Sequence, residues 1–510
     1  MPTFDLSFRC LPGGLPGGLR TGLLSVAVAA LGVSAAPSVL VAQDAKDQLA
    51  RFIDERADSY AQVAQNIWDL AEVGYMEYES SSLLQQQLRD AGFRVEAGVA
   101  GIPTAFVAEW GQGGSVVGIM AEFDALPGIN QDRSAERLPV DGKIAGHACG
   151  HHLFGTGSVA AAIAVKDWLE RSGEPGRIRL YGTPAEEGGA GKVYMVRAGL
   201  MNDVDAMLHW HAGDSNSAAA TGSLANKSAK FRFSGISAHA SSAPWRGRSA
   251  LDAVEAMNMM VNMMREHVEP ESRIHYVITS GGSAPNVIPD KAEAFYYVRH
   301  PDPAMVHANF ERVVAAAEGA ALGTGTTMEY EIIHGIYNLL VNEPLAQAMH
   351  DNLERVGGVE YTDAERDFGA AIQESFGYEH PALETAQQVA NFYVDPVGRG
   401  GSTDVGDVSW MVPTAGLRTA TWVPGTAAHS WQAVAAGGTD IGNKGMINAA
   451  KTLAMTAYDL FTNPALIEAA KAEFVSRRGD DFQYDPLIGD RDPPLDYRAD
   501  VMGGAGGGSN

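Results

Sequence analysis

Cysteine is almost absent from this 510-residue chain, which has only Cys10 and Cys149. A disulfide framework is therefore excluded, and stability has to come from a buried core. Positive charge is scarce as well: 37 Lys and Arg against 62 Asp and Glu leave a net charge of −25. Nothing in that balance supplies the cationic footprint that phosphate neutralisation needs, so nucleic acid is excluded as a partner. Past the amino terminus no apolar run approaches the ~20 residues of a membrane span, and no segment repeats. What the chain does have is 45% hydrophobic residues with only 19% charged, enough to fill a large core and far from a disordered composition. At roughly 150 residues per domain, the length allows a catalytic domain and a satellite.

The first residues carry Arg9 and Arg20, then an apolar run over 23–31, then Ala42 before a polar start. Basic flank, short apolar core and small residue predict a secretory signal peptide over 1–42, cut after Ala42. A periplasmic or secreted location follows, with no membrane contact after cleavage and Cys149 as the one cysteine retained.

Beyond it, helical spacing over 47–70 predicts an opening helix, and 81–91 a second one stopped by Gly92. The nearly unbroken apolar run at 116–121 marks a strand covered on both faces. It leads into Glu122-Phe123-Asp124-Ala125-Leu126-Pro127. Three further strands, at 178–181, 206–208 and 419–423, precede Glu186-Glu187, His209-Trp210-His211 and His429, so polar residues collect at strand ends, where open α/β sheets place their sites. Between 226 and 334 the order strand, helix, two strands, helix, strand predicts an inserted two-layer α+β domain. The expected architecture is α/β: a mixed-sheet catalytic domain in two parts, 43–225 and 335–475, interrupted by the inserted domain at 226–334. A partly disordered tail, 476–510, is expected from Pro493-Pro494 and the glycine run at 503–508.

The densest chemical signal is Gly146-His147-Ala148-Cys149-Gly150-His151-His152. A thiol and an imidazole two residues apart suit a transition metal, although a buried free cysteine beside a core histidine reads the same way. Glu186-Glu187 would ordinarily be a solvated turn. Beside a metal, one carboxylate can ligate while the other stands free as a base. His211 and His429, each taken alone, read as hydrogen-bonded structural histidines; together with the other groups at strand ends they gain weight.

Asp124-Ala125-Leu126-Pro127, His147-Ala148-Cys149-Gly150-His151, Pro184-Ala185-Glu186-Glu187-Gly188 and Gly425-Thr426-Ala427-Ala428-His429 resemble, in order and spacing, the metal-dependent amidohydrolases that include aminoacylase, hippurate hydrolase and indole-acetyl-amino-acid hydrolase. The resemblance extends over 47–475, and it implies a zinc-peptidase-like catalytic domain with the insertion at 226–334 as a lid or dimerisation domain. Within that family, Ser402-Thr403-Asp404-Val405-Gly406-Asp407, Gly247-Arg248-Ser249-Ala250-Leu251-Asp252 and His429-Ser430-Trp431-Gln432 look most like the p-aminobenzoyl-glutamate-cleaving branch. The resemblance implies two divalent metal ions per subunit, manganese or zinc with cobalt also allowed. Cys149, His151, Glu187, His211 and His429 would be their ligands, with Asp124 orienting a ligand from behind. It implies Glu186 as general base toward a metal-activated water, His239 steadying the oxyanion in a partner subunit, and Asn286 and Arg299 holding a substrate carboxylate. His239 and Arg299 also read as ordinary surface residues of strand and loop. His147, His152 and His209 are left without a role.

The expected activity is hydrolysis of the amide bond of N-acyl or N-aroyl amino acids, with a homodimer or a related second subunit as partner. A dipeptidase or carboxypeptidase using the same site is the rival enzyme. A non-catalytic subunit that retains the fold is the rival from another class.

Overall fold

The computed structural model describes residues 36–398 and 401–499. The predicted signal peptide, apart from the backbone of residues 36–42, and the glycine run at 503–508 lie outside the described residues. The chain divides into two units, residues 1–45 and 46–510, and among the described residues every strand lies in the second.

Helix α1, Ala36–Asp54, and helix α2, Ala57–Leu70, replace the single helix expected over 47–70; the chain leaves helical geometry at Arg56 (φ −116°, ψ 5°). Helix α3, Tyr78–Asp90, precedes the strands β1, Arg94–Ala97, β2, Phe106–Gln112, and β3, Val116–Ala121. Every residue of β3 is buried, the burial that its unbroken apolar run predicts. Helix α4, His151–Ser172, then leads to β4, Gly176–Gly182, helix α5, Gly191–Arg197, and β5, Ala206–Gly213.

The chain next builds a second sheet from β6, Ala225–Ser234, β7, Arg273–Ser280, β8, Lys291–His300, and β9, Thr327–Ile336. Helices α6, Ala250–Met264, and α7, Pro303–Thr324, belong to the same stretch. The order is β7-β8-β6-β9 with antiparallel neighbours throughout. Along β8, Ala292, Ala294, Tyr296, Val298 and His300 are buried while their neighbours are not, the period of two that one packed face imposes. That face meets α6, capped by the Ser249 side chain, and α7, capped by Asp302 with Pro303 at its first turn.

The main sheet resumes with β10, Thr414–Ala420, and ends in helices α8, Asp440–Thr462, and α9, Pro464–Arg478. Its order is β1-β2-β4-β3-β5-β10. The four strands from β4 to β10 run parallel, and β1 and β2 are antiparallel additions at one edge. Two strand limits differ from expectation: β5 continues through His209 and His211, and β10 stops at Ala420, short of the expected end beyond Trp422. Residues 482–499, expected to belong to a partly disordered tail, are instead tied down, with Leu487 and Ile488 buried. Isolated apolar anchors among prolines and aspartates have no period for sequence reading to detect. Among the described residues no helix is long and apolar enough to cross a membrane.

Candidate metal centre

The carboxyl ends of the parallel strands carry the chemistry. Just past β3 stand Glu122 and Asp124; just past β4 stand Glu186 and Glu187; β5 supplies His211; the turn before α4 supplies Cys149 and the first residue of α4 is His151; and the loop after β10 supplies His429. Local backbone geometry aims them. Gly150 sits between Cys149 and His151 with φ 78°, and an added Cβ there would run into the Cβ of Ala212, so this turn requires glycine. His429 itself has φ 60°, and its N–H donates to the Ala148 carbonyl at 3.0 Å, which ties the late loop to the early turn.

Three groups of donor atoms lie within 4.8 Å: Cys149, His151 and His211; Cys149, Glu187 and His429; and Glu122, His151 and Glu186. The Cys149 sulfur is 3.4 Å from Nε2 of His211, and Nε2 of His429 is 3.2 Å from a Glu187 oxygen. His151 is fully enclosed, with Nδ1 2.9 Å from an Asp124 oxygen. A carboxylate at Nδ1 holds the proton there and leaves the Nε2 lone pair for a metal. The Ala212 carbonyl does the same for His211, 2.7 Å from its Nδ1. The other Asp124 oxygen accepts the Glu187 N–H at 2.9 Å, so one carboxylate orients two of the candidate ligands.

The electrostatics fit a cation. Nε2 of His151 and the Glu122 oxygen 3.1 Å from it, and the Glu187 oxygen 3.2 Å from His429, are buried, and each faces its neighbour without a well-aligned hydrogen bond. Buried polar atoms are rarely left so. Burial, then Glu122, Glu187 and Asp404, push the Glu186 carboxyl well above the usual carboxylate range. Burial also raises the Cys149 thiol and lowers His211, the latter helped by Arg418. Burial opposes protonation of His151 too, but Cys149, Glu122 and Asp124 outweigh it and raise its pKa. Thiol, imidazole and carboxylate donors with orphaned lone pairs are what a borderline divalent ion requires.

Glu122, Lys192 and Asp404 are the residues that the sequence pattern does not single out. Fully buried Lys192 bridges the two acids, its Nζ 2.6 Å from an oxygen of each, and the second Glu122 oxygen is 3.1 Å from Nε2 of His151. The available signal is Glu122 itself, two residues before Asp124 and so on the same side of an extended chain.

The remaining candidates lie elsewhere. His239 is exposed on the segment after β6, where its Nδ1 accepts from the backbone N–H groups of Ser241 and Ser242. The backbone of its neighbour Ala240 bonds that of Asn286, which is also exposed. Arg299, near the end of β8, lies over the Tyr297 ring. None of the three joins the donor groups. His147 and His152 are buried with their rings 4.8 Å apart, each turned to a backbone carbonyl, of Ile67 and Gly437 respectively. His209 lies over Gly416 of β10.

Residues 118–430 match the model of peptidase family M20/M25/M40. The chain is 40% identical over 455 residues to the B-type subunit of p-aminobenzoyl-glutamate hydrolase of Escherichia coli (strain K12), covering 84% of this chain and 95% of that one. It is 31% identical over 445 residues to Xaa-Arg dipeptidase of Mus musculus, covering 84% and 92%. Among solved structures, a dinuclear metal-binding peptidase of the M20 family from Bacillus subtilis superposes with a TM-score of 0.54 at 17% identity, over 80% of this chain and 99% of that one.

Proposed function

Because this chain belongs to peptidase family M20/M25/M40 and is a metal-dependent amidohydrolase, we propose that it cleaves N-acyl or N-aroyl amino acids of the p-aminobenzoyl-glutamate type. The observation that carries the reading is the pair of donor groups that share Cys149, with Glu186 in a third group that meets the first at His151. Cys149, His151, His211, Glu187 and His429 would hold two divalent ions, zinc by the thiol and imidazoles, manganese or cobalt by the carboxylates. Such ions supply Lewis acidity toward a carbonyl oxygen and lower the pKa of bound water. Glu186, whose carboxyl holds a proton more tightly than usual, takes the proton from water and returns it to the departing amine, which cannot leave as an anion. Asp124 keeps His151 and the Glu187 backbone in place throughout. Asn286 and Arg299 would bind the substrate carboxylate, Arg299 through paired hydrogen bonds. His239 would serve the active site of a second subunit.

The bacterial relative is by name one subunit of a hydrolase that also has an A-type subunit, which supports a two-subunit assembly, of two copies or of related chains. The exposed Met259, Met260 and Met263 on α6 offer an apolar seam for it, and light-scattering mass decides the stoichiometry. The predicted signal peptide supports export to the periplasm or beyond; sequencing the amino terminus of the native protein decides it, and an intact Met1 in cytosolic protein defeats it.

The test is amine release from p-aminobenzoyl-glutamate, hippurate, N-acetyl amino acids and matched dipeptides by the manganese- and the zinc-loaded protein. Turnover of acylated substrates, lost on the order of 100-fold or more in Glu186→Gln with metal content unchanged, is expected. The 31% identity to Xaa-Arg dipeptidase favours one rival, which wins if dipeptides alone are cut. Silence on the whole panel with metal bound would make the chain a non-catalytic subunit.

A further inference from the structure

The loop that carries Glu186 and Glu187 is an awkward piece of backbone. Ala185 has φ 57° and Gly188 φ 91°, a left-handed residue on each side of the glutamate pair. Glycine adopts positive φ freely, but at Ala185 it persists only where the surroundings fix it. On the near side the surroundings are Glu77, which accepts the Ala185 N–H at 2.8 Å, and Asp124, which accepts the Glu187 N–H. On the far side, the Glu187 carbonyl accepts from the Tyr497 hydroxyl at 3.0 Å and from the Arg498 guanidinium at 2.7 Å. Tyr497 stands edge-on to Tyr75 at 5.5 Å, and the Tyr75 hydroxyl donates to Gly189 of the same loop at 2.7 Å. Gly74 leaves room for the Tyr497 hydroxyl, which an added Cβ would strike.

The same stretch of chain is anchored to both sheets. Leu487 packs in the core of the small sheet and its neighbour Ile488 in the cluster that includes Ala185 and Tyr194. The Arg491 guanidinium donates to the carbonyls of Ile332 and Ile333 on β9 and to the Tyr194 hydroxyl. Arg197 of α5 donates to the Gly489 carbonyl at 2.9 Å. The Tyr484 hydroxyl donates to Asp407 at 2.7 Å.

We propose that residues 482–498 form a brace whose end, Tyr497 and Arg498, positions the Glu186–Glu187 loop and so sets the direction of both carboxylates from an anchorage on the small sheet. The inference rests on the reading of Glu186 as base and Glu187 as ligand. With Asp124 on the N–H side of Glu187 and the brace on its carbonyl side, the two peptide planes flanking that residue are each held. Removing the brace frees one of them and lets the carboxylates turn while the core stays intact.

Full-length Tyr497→Phe, Arg498→Ala and Arg498→Lys separate this from a merely structural role. In metal-free protein, hydrogen exchange at the Gly188 and Gly189 amides, which bond within the loop, is expected to rise about 10-fold in Arg498→Ala. Manganese affinity and kcat are each expected to fall about 10-fold, as when a group behind a metal ligand is lost, with KM unchanged. Tm is expected to stay within about 2 °C, Tyr497→Phe to move the same readouts less, and Arg498→Lys to recover most of the loss. Exchange and metal affinity within twofold of the parent in every variant would overturn the brace. So would a uniform loss of exchange protection across the main sheet that lysine does not rescue. If the parent protein cuts none of the acylated amino acids, the substrate reading fails while exchange and metal affinity still decide the brace.

Discussion

Lys192 places an ammonium where no water reaches, paired with two carboxylates, Glu122 and Asp404. Burial alone would drive the proton off; Asp404 and Glu122 outweigh it and hold the pKa above that of an ordinary lysine. The network reaches the candidate metal centre through Glu122, which touches His151. A buried ion pair contributes little net stability over an apolar replacement, but one partner removed leaves the other charge stranded. Lys192→Met is therefore expected to cost about 3–5 kcal/mol in urea unfolding. Lys192→Met combined with Asp404→Leu and Glu122→Gln should lose less than the single change, because no uncompensated carboxylate remains. If the single change costs under about 1 kcal/mol, the ammonium is not what keeps the two acids together.

Helix α4 starts and ends on a left-handed glycine, Gly150 and Gly173, yet the two ends carry different duties. A Cβ on Gly150 would collide with Ala212, whereas one on Gly173 would meet nothing. Gly173→Ala is expected to cost about 1–2 kcal/mol of left-handed backbone penalty and to leave metal affinity and turnover alone. Gly150→Ala adds the collision and displaces Cys149 or His151. Metal affinity, read by titration, should fall at least about 10-fold. Equal effects of the two changes on metal binding would mean that the turn tolerates a side chain. This division also marks what sequence reading reaches. The strand at 116–121 is legible because burial on both faces removes every polar residue from it, and Cys149, His151 and the glutamate pair are legible because donor types collect at strand ends. Lys192 and Asp404 are not, since lysine is ordinarily solvated and its acid partner lies 212 residues further on. The break at Arg56 is hidden because apolar spacing continues across it, and the end of β10 because Trp422 is buried without being strand. Tyr497 and Arg498 act through a backbone carbonyl, a contact that leaves no trace in side-chain pattern.

At the scale of the whole molecule, two sets of buried groups pull stability in opposite directions with pH. His152 and His209 are each held down to about 3 by burial. A base whose folded pKa is lowered contributes stability that is present above its unfolded value near 6.5 and is lost as pH falls from there toward 3. Asp407 works the other way. Burial pushes it from 3.8 up to about 7 despite hydrogen bonds from the Tyr337 N–H and the Tyr484 hydroxyl. An acid raised in the folded state contributes stability that is full below its unfolded value and is lost as pH rises through 7, because folded protein must then bury a carboxylate. Asp407→Asn removes that titration and leaves the histidines in place. The stability of the variant relative to the parent should accordingly rise between pH 4 and pH 8, by a few kcal/mol and no more than ~4. Since asparagine cannot accept both bonds equally well, the two proteins will differ by a constant offset, and the slope is the quantity that tests the claim. Urea unfolding at five pH values measures it: parallel curves would mean that Asp407 is ionised in the folded protein at pH 5, and a slope of the opposite sign would mean that its two donors outweigh its burial.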